Sequence, residues 1–344
     1  MIYVGVSGGV DSSFALYLLK KRFKKVCAVF ILFESYENLC PLKCCNLENV
    51  KILTNKLDVP LKIIDAREEF KNEVINYFIN YHKIGKTPNP CVVCNEKVKF
   101  KLLIENLLKE GDLISTGHYA RIIKDGDNFY LMKGVDKIKD QSYMLYRLKR
   151  EYLEKIHLPL GEYFKHEVIY ELKKLNIYEI FPKESQDLCF IKKDKNSFLE
   201  EVFKEKKGKI LHINGKELGE HKGYYFYTIG QRSGLNISWK EPLYVVDIDS
   251  EKNIVYVGER EFVLKDKFVV KNLNWLVDIN NIKDENIKVK TRYKSKEINC
   301  KLEIKTDMVI VYLKEKEFAI TPGQSAVFYQ EDMVLGGGEI DRVL

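Results

Sequence analysis

Hydrophobic positions in the first half of the chain fall into two alternating textures: short continuous apolar runs and longer stretches with helical spacing. The run at 2–6 precedes a helical pattern at 13–23, 26–33 precedes 47–57, and 61–64 precedes 70–81. That alternation predicts a parallel sheet covered by helices. A further helical pattern at 96–109 leads into a strand at 113–116 and completes a doubly wound, mostly parallel α/β domain, in which ligands sit beyond the carboxyl ends of the strands. From about Asn196 the texture changes to a helical stretch at 198–203, a charged run at 204–209 and short segments broken by glycine. A domain boundary is expected there. Beyond 243 the pattern is strand-like at 243–247, 254–257, 287–293, 298–304, 308–313, 325–329 and 333–336, a spacing that predicts a small antiparallel β-barrel. The chain has no internal repeat and no low-complexity segment.

Composition narrows the function classes. At 344 residues two or three domains are expected. The chain opens directly on a strand-like run, without the basic and apolar segments of an export signal, and its longest apolar candidate, 26–33, falls far short of the roughly 20 residues that span a bilayer. A cytoplasmic protein without membrane partners is predicted. Eight cysteines then read as reduced thiols available for metals or catalysis. The formal net charge of +7 suits a polyanionic partner, although charge alone does not identify one.

The most specific segment near the start is Gly5-Val-Ser-Gly-Gly-Val-Asp-Ser-Ser13, which follows a strand and opens a helix. Glycines there let backbone amides approach an anion, and the serine hydroxyls and the positive end of the helix complete a phosphate cradle. Generic glycine pairs are more often plain turns, but Ser-Gly-Gly-Val-Asp-Ser is longer and resembles the pyrophosphate loop of enzymes that split ATP into AMP and pyrophosphate. The Gly-Lys-Ser/Thr ending of a Walker loop is missing, which argues against transfer of the terminal phosphate.

Cys91 and Cys94 lie in Thr87-Pro-Asn-Pro-Cys-Val-Val-Cys-Asn95, a proline-rich turn running into a helix expected to begin near Glu96. A thiol close to a helix N-terminus has its thiolate favoured, so either cysteine is a candidate nucleophile. Cys189 lies in Ser185-Gln-Asp-Leu-Cys-Phe190. The plainer alternatives are half of a zinc site for the pair and an ordinary small core residue for Cys189. Cys40, Cys44 and Cys45 match no familiar four-ligand spacing, and Cys27 and Cys300 are expected inside strands, in the core.

At this point the chain resembles one family nearly end to end, the bacterial MnmA-type tRNA-specific 2-thiouridylases. The likeness is carried by the loop at Gly5 to Ser13, Gly85-Lys-Thr-Pro-Asn-Pro90, Cys94-Asn-Glu-Lys-Val-Lys-Phe100, Thr116-Gly-His-Tyr-Ala-Arg121 and Lys139-Asp-Gln-Ser-Tyr143. It continues through Ser185-Gln-Asp-Leu-Cys-Phe190, Tyr227-Thr-Ile-Gly-Gln-Arg232 and Thr321-Pro-Gly-Gln-Ser-Ala326. The resemblance implies an ATP-pyrophosphatase domain at 1–196, a central adaptor domain at 197–262 and a C-terminal barrel at 263–344. It implies a wobble uridine of the tRNA anticodon stem-loop as substrate, ATP with Mg2+ as cofactors, and a sulfur donor or relay protein as partner.

Carried over position by position, the resemblance makes Cys94 the nucleophile and Cys189 the persulfide carrier. Gly5, Val6, Ser7, Gly8, Gly9, Val10, Asp11, Ser12, Ile31 and Gly117 would contact ATP, with Ile31 on the loosest alignment. Asn89, Pro90 and Cys91 would face the base. His118, Lys139, Asp140, Gln141, Arg292, Tyr293 and Gln324 would contact or position the tRNA. Read without the family, His118 is better explained as a capping or core histidine, Lys139-Asp-Gln141 as a solvated loop and Arg292-Tyr293 as strand surface. Cys91 departs from the aspartate that many members carry, so that aspartate's role does not transfer. Cys91, Cys94 and Cys189 together would also suit three irons of a 4Fe-4S cluster whose fourth iron binds hydrosulfide, and persulfide and cluster routes both stay open. The rival readings are another adenylating member of the same superfamily and a non-catalytic, zinc-stabilised RNA-binding protein.

Overall fold

The computed structural model describes residues 1–33, 47–175, 177–178, 188–191, 193–282 and 285–344. Cys40, Cys44, Cys45, the rest of the loop 40–46 and the Ser185-Gln-Asp part of the Cys189 motif lie outside the described residues. The strands, in chain order, begin with β1 (Ile2–Gly5), β2 (Val26–Leu32), β3 (Leu61–Asp65), β4 (Leu113–Ser115), β5 (Ala120–Asp125), β6 (Asn128–Lys133) and β7 (Ile156–His157). Next come β8 (Gly208–His212), β9 (Glu217–His221), β10 (Tyr244–Asp249) and β11 (Ile254–Gly258). The last are β12 (Leu264–Trp275), β13 (Ile287–Lys290), β14 (Ile298–Ile304), β15 (Val309–Phe318), β16 (Ser325–Gln330) and β17 (Met333–Val343).

The first sheet runs β3-β2-β1-β4-β7 with every pair parallel. Its two central strands read as unbroken apolar runs because both faces are covered. Alternate residues divide between two cores: Ile2, Val4, Val26, Ala28 and Phe30 pack with the helix Val10–Arg22, whereas Tyr3, Cys27, Val29 and Ile31 pack with the helical segments at 67–83 and 90–107. The doubly wound expectation is met, and Cys27 and Cys300 lie buried in β2 and β14 as expected. Burial pushes the Cys300 thiol up to about 12, as befits a core residue.

The C-terminal sheet runs β12-β15-β14-β13-β16-β17 and closes on itself through β12 and β17, giving a six-stranded antiparallel barrel. Three details depart from the sequence pattern. The strand-like runs at 243–247 and 254–257 belong to a separate four-stranded sheet, β10-β11-β8-β9, and not to the barrel. The run expected at 287–293 stops at Lys290, because the Ser295 hydroxyl accepts the amides of Thr291 and Arg292 and turns the chain. The hairpin β5–β6, whose chain leaves the parallel sheet after β4, pairs Met132 with Met333 and so attaches the first domain to the outside of the barrel.

Beneath the first domain's helices His82 is 2% exposed, with Nδ1 3.1 Å from the Lys86 carbonyl and its ring 4.4 Å from that of Phe78. Burial, and secondarily the Lys195 ammonium, pull its pKa down to about 3. The unfolded chain takes up this proton near pH 6.5 and the folded one does not, so the contribution is complete above 6.5 and is lost as pH falls toward 3. Acidifying from pH 7 to 5 is expected to cost about 2 kcal/mol through this residue alone. Denaturant titrations of wild type and His82→Gln at both pH values check it, and equal losses in the two proteins would contradict it.

Candidate active site

The loop from Gly5 to Gly9 leaves the carboxyl end of β1, at the centre of the parallel sheet, and enters the helix Val10–Arg22. Gly8 sits at φ 80°, a left-handed turn that glycine adopts without cost, and Gly9 caps the helix with no side-chain bond. Serines brace the turn from inside. The Ser7 amide donates to Ser12 Oγ at 3.1 Å, the two hydroxyls lie 3.2 Å apart, and Ser13 Oγ donates to the Gly9 carbonyl at 2.8 Å. The first amides of the helix have no intrahelical acceptor, so this end presents unpaired donors and the positive end of the helix dipole.

Beside the loop lies a cavity of about 180 Å3. Gly5, Val6, Ser7, Asp11 and Ser12 form one wall, and Val29, Ile31 and Phe33 form another. Lys99 and Leu103 close it from the helix that also carries Cys94, while Thr116, Gly117, His118 and Gln141 complete it. Gly117 touches the loop so closely that a Cβ there would lie 2.7 Å from Ser12 N. Thr116 Oγ1 and His118 Nδ1 are 2.7 Å apart, and the enclosing protein, with a lesser push from Lys99, holds the His118 pKa down to about 3. His118 is therefore neutral near pH 7. Gln141 Oε1 accepts the Tyr119 backbone amide at 3.0 Å and the Gln141 backbone N–H donates to the Tyr119 carbonyl at 2.8 Å, locking the segment that carries His118.

The cysteine helix begins at Pro90 and not near Glu96. Asn89 is its N-cap, with Oδ1 accepting the Val92 amide at 3.4 Å, and Pro90 occupies the first helical position, where its missing N–H costs nothing. Cys91 thus lies in the first turn and is exposed, while Cys94, one turn on, is 5% exposed. From Cys94 to Phe100 the helix is wound in the wider π form, a variant that recurs at functional sites. Asn95 Nδ2 donates to the Met144 carbonyl at 3.0 Å, Glu96 pairs with Arg147 at 2.8 Å, and Lys97 pairs with Glu73 at 2.8 Å. The residues after Cys94 therefore fix its helix on three sides.

Cys189 is partly buried and packs against the same core cluster that contains Cys94. Its neighbour Phe190 lies 6.1 Å from Phe70, which stacks at 4.7 Å on Phe33 of the cavity wall. The three cysteines themselves lie outside the cavity lining.

The remaining sequence candidates are placed as follows. The buried Asp140 carboxylate accepts the amides of Gly134 and Ser142 and the Ser142 hydroxyl. The Lys139 amide bonds to the Asp136 carboxylate. Arg292 NH2 reaches the carbonyls of Ile229 and Ala319 and the hydroxyl of Thr321, joining the central segment to the barrel. The Tyr293 ring lies 6.1 Å from that of Tyr143, and burial pushes its hydroxyl up to about 12. Gln324 Nε2 donates to the carbonyls of Thr87 and Pro88 at 3.0 and 3.1 Å, so the barrel turn Thr321-Pro-Gly-Gln clamps the strap that leads into Asn89. Lys99, Leu103, Phe33, Tyr119 and Lys165 escaped the sequence reading of individual roles. Apolar spacing flags Leu103 and Phe33 only as helix and strand positions, Lys99 and Tyr119 stand inside quoted motifs without a role of their own, and Lys165, which meets Asp11 from 154 residues away, carries no local signal.

A glycine- and serine-rich loop at the carboxyl end of a parallel sheet, opening on a cavity flanked by a cysteine-bearing helix, defines a nucleotide-binding α/β enzyme class. The family model described as a tRNA methyl transferase HUP domain matches residues 1–193, that of a tRNA methyl transferase PRC-barrel domain residues 196–259, and that of an aminomethyltransferase beta-barrel domain residues 265–340. The chain is 39% identical to tRNA-specific 2-thiouridylase MnmA 2 of Thermoanaerobacter sp. (strain X514), covering 100% of this chain and 98% of that one. It is 38% identical to tRNA-specific 2-thiouridylase MnmA of Aquifex aeolicus over 99% of both chains, and 40% identical to that of Rickettsia typhi over 99% of this chain and 98% of that one. The chain belongs to the MnmA family of tRNA-specific 2-thiouridylases. Members of its superfamily use ATP.

Proposed function

We infer that this chain replaces the O2 oxygen of a tRNA uridine by sulfur at the expense of ATP, with the wobble uridine as its target. One observation carries the reading: the helix that bears Cys94 also supplies Lys99 and Leu103 to the wall of the cavity beside the glycine- and serine-rich loop, which supports nucleotide and thiol chemistry at one end of the sheet. The division into domains 1–196, 197–262 and 263–344 is part of this reading, as is a tRNA partner for the basic chain. Among the described residues no helix is long and apolar enough to cross a membrane.

A carbonyl oxygen leaves poorly, so it must first become an ester. Uridine O2 attacks the α-phosphate of ATP, pyrophosphate departs against the loop amides, and an adenylated base remains. Magnesium suits hard oxygen donors such as the Ser7 and Ser12 hydroxyls together with the phosphates, and would neutralise the departing charge. A 4Fe-4S cluster is the alternative sulfur source, and Cys91, exposed, with Cys94, buried one turn on, and Cys189 are the residues that would hold it; among the described residues no three His, Cys, Asp or Glu side chains are grouped to hold a single metal ion.

The thiol route balances as follows. A sulfur-relay protein bearing a persulfide loads Cys189. The outer sulfur attacks C2 and expels AMP, leaving a Cys189–S–S–C2 linkage. The Cys94 thiolate then attacks the Cys189 sulfur, so that the outer sulfur stays on the base with the electron pair of the broken bond and Cys94 and Cys189 become a disulfide. A dithiol reductant reopens it.

The direct test incubates the protein with unmodified tRNA, ATP and a sulfide or persulfide source, then assays the digested RNA. 2-Thiouridine is expected only when ATP is present. Its absence under all conditions would overturn the reading, and stoichiometric iron with acid-labile sulfide in active, anaerobically prepared protein would overturn the thiol relay.

A further inference from the structure

Asp11 is the only carboxylate in the segment Gly5 to Ser13, in the first turn of the helix that follows the loop, and it lines the cavity beside that loop. An unneutralised carboxylate there would repel every phosphate of the ligand. Lys165, at the start of the helix Lys165–Lys174, answers it from the far side: its Nζ lies 2.6 Å from Asp11 Oδ1, and it is nearly buried. The Tyr119 hydroxyl donates to the same oxygen at 2.7 Å, and the Lys165 ammonium lies 5.9 Å from the Tyr119 ring centroid. The lysine is itself fixed, since its backbone amide donates to the buried Asp136 carboxylate at 3.0 Å. Lys165 is absent from the cavity lining, so it acts through Asp11.

We propose that Lys165 is a positioning residue of the nucleotide site: it neutralises and orients Asp11 so that the loop accepts a polyphosphate. The proposal rests on the reading of this loop as the ATP site. Its signature is selectivity between ligands of different charge. Losing the ammonium leaves one unpaired negative charge beside the phosphates, within a Debye length and partly desolvated, which predicts a loss of ATP affinity of roughly thirtyfold. Adenosine, which has no phosphate, should bind the variant within about twofold of wild type.

Equilibrium binding of ATP and of adenosine is measured for wild type, Lys165→Met, Lys165→Arg and the pair Asp11→Asn with Lys165→Met. Expected are a large loss of ATP alone in Lys165→Met, near-normal ATP binding in Lys165→Arg, and recovery of most of the lost affinity in the double variant. Unchanged ATP affinity in Lys165→Met, or an equal loss of ATP and adenosine, would overturn the proposal, the second result marking a purely structural role. Wild-type protein that binds no ATP would instead refute the nucleotide site itself.

Discussion

Cys94→Ser is expected to lower 2-thiouridine formation by a factor on the order of 10³ or more, while tRNA binding and ATP binding stay near wild type. Serine nearly matches cysteine in volume, so the 5%-exposed site in the helix should stay packed and the helix ties at Asn95, Glu96 and Lys97 should hold. What changes is chemistry, because a hydroxyl is not ionised near neutral pH and cannot open the Cys189–S–S–C2 linkage. Cys189→Ser should be as severe, since nothing else in the proposed relay carries the outer sulfur. Cys91→Ser separates the two sulfur routes: in the thiol relay its exposed side chain is dispensable and activity should stay within about threefold of wild type, whereas a three-cysteine cluster would lose a ligand. Product is counted in digested tRNA, alongside tRNA-dependent AMP release. Normal thiolation by Cys94→Ser would remove Cys94 from the mechanism, and inactivity of Cys91→Ser in folded protein would remove the thiol relay.

The parallel sheet was legible because its central strands are buried on both faces, so each announces itself as an unbroken apolar run between helical patterns. The phosphate loop was legible for a similar reason: its constraints are local, and glycine, serine and the following helix stand consecutively from Gly5 to Ser13. The strand β12 was missed because its half-buried, charged pattern resembles no simple alternation, its pairing being set by β15 and β17 far along the chain. The strand-like run 333–336 continues as β17 to Val343, through the three successive glycines Gly336 to Gly338, which lack the side chains that make a strand pattern. They are where the strand passes close to its neighbours: a Cβ on Gly337 would lie 2.4 Å from the Ala326 carbonyl, and one on Gly338 2.4 Å from that of Lys271. Placing the helix start near Glu96 overlooked the Asn89–Pro90 cap, which seats both thiols inside the helix. The Lys165–Asp11 pair was invisible because it spans 154 residues and depends on the three-dimensional register of two helices.

Gly117→Ala should strike the nucleotide site hardest among single-methyl changes. An added Cβ would lie 2.7 Å from both Asp11 C and Ser12 N and 2.9 Å from Ser12 Cα. These are backbone atoms in the first turn of the helix that follows the phosphate loop, so no side chain can swing aside to relieve the contact. Either the helix start retreats, disturbing the Ser7–Ser12 brace, or residues 116–118 retreat, breaking the 2.7 Å contact between Thr116 and His118. Both movements displace cavity walls. Overpacking of this kind costs about 1–3 kcal/mol of stability, and concentrated on a site that depends on amide placement it should weaken ATP binding by roughly a hundredfold, about 2.7 kcal/mol. Gly219→Ala is the matched control, because a Cβ there meets nothing within 4 Å in the small central sheet, and its ATP affinity and melting temperature should stay close to wild type. Calorimetric titration with ATP and thermal melts of the three proteins make the comparison. ATP binding by Gly117→Ala at wild-type strength would show that the close approach of the 116–118 segment to the loop is not what shapes the site.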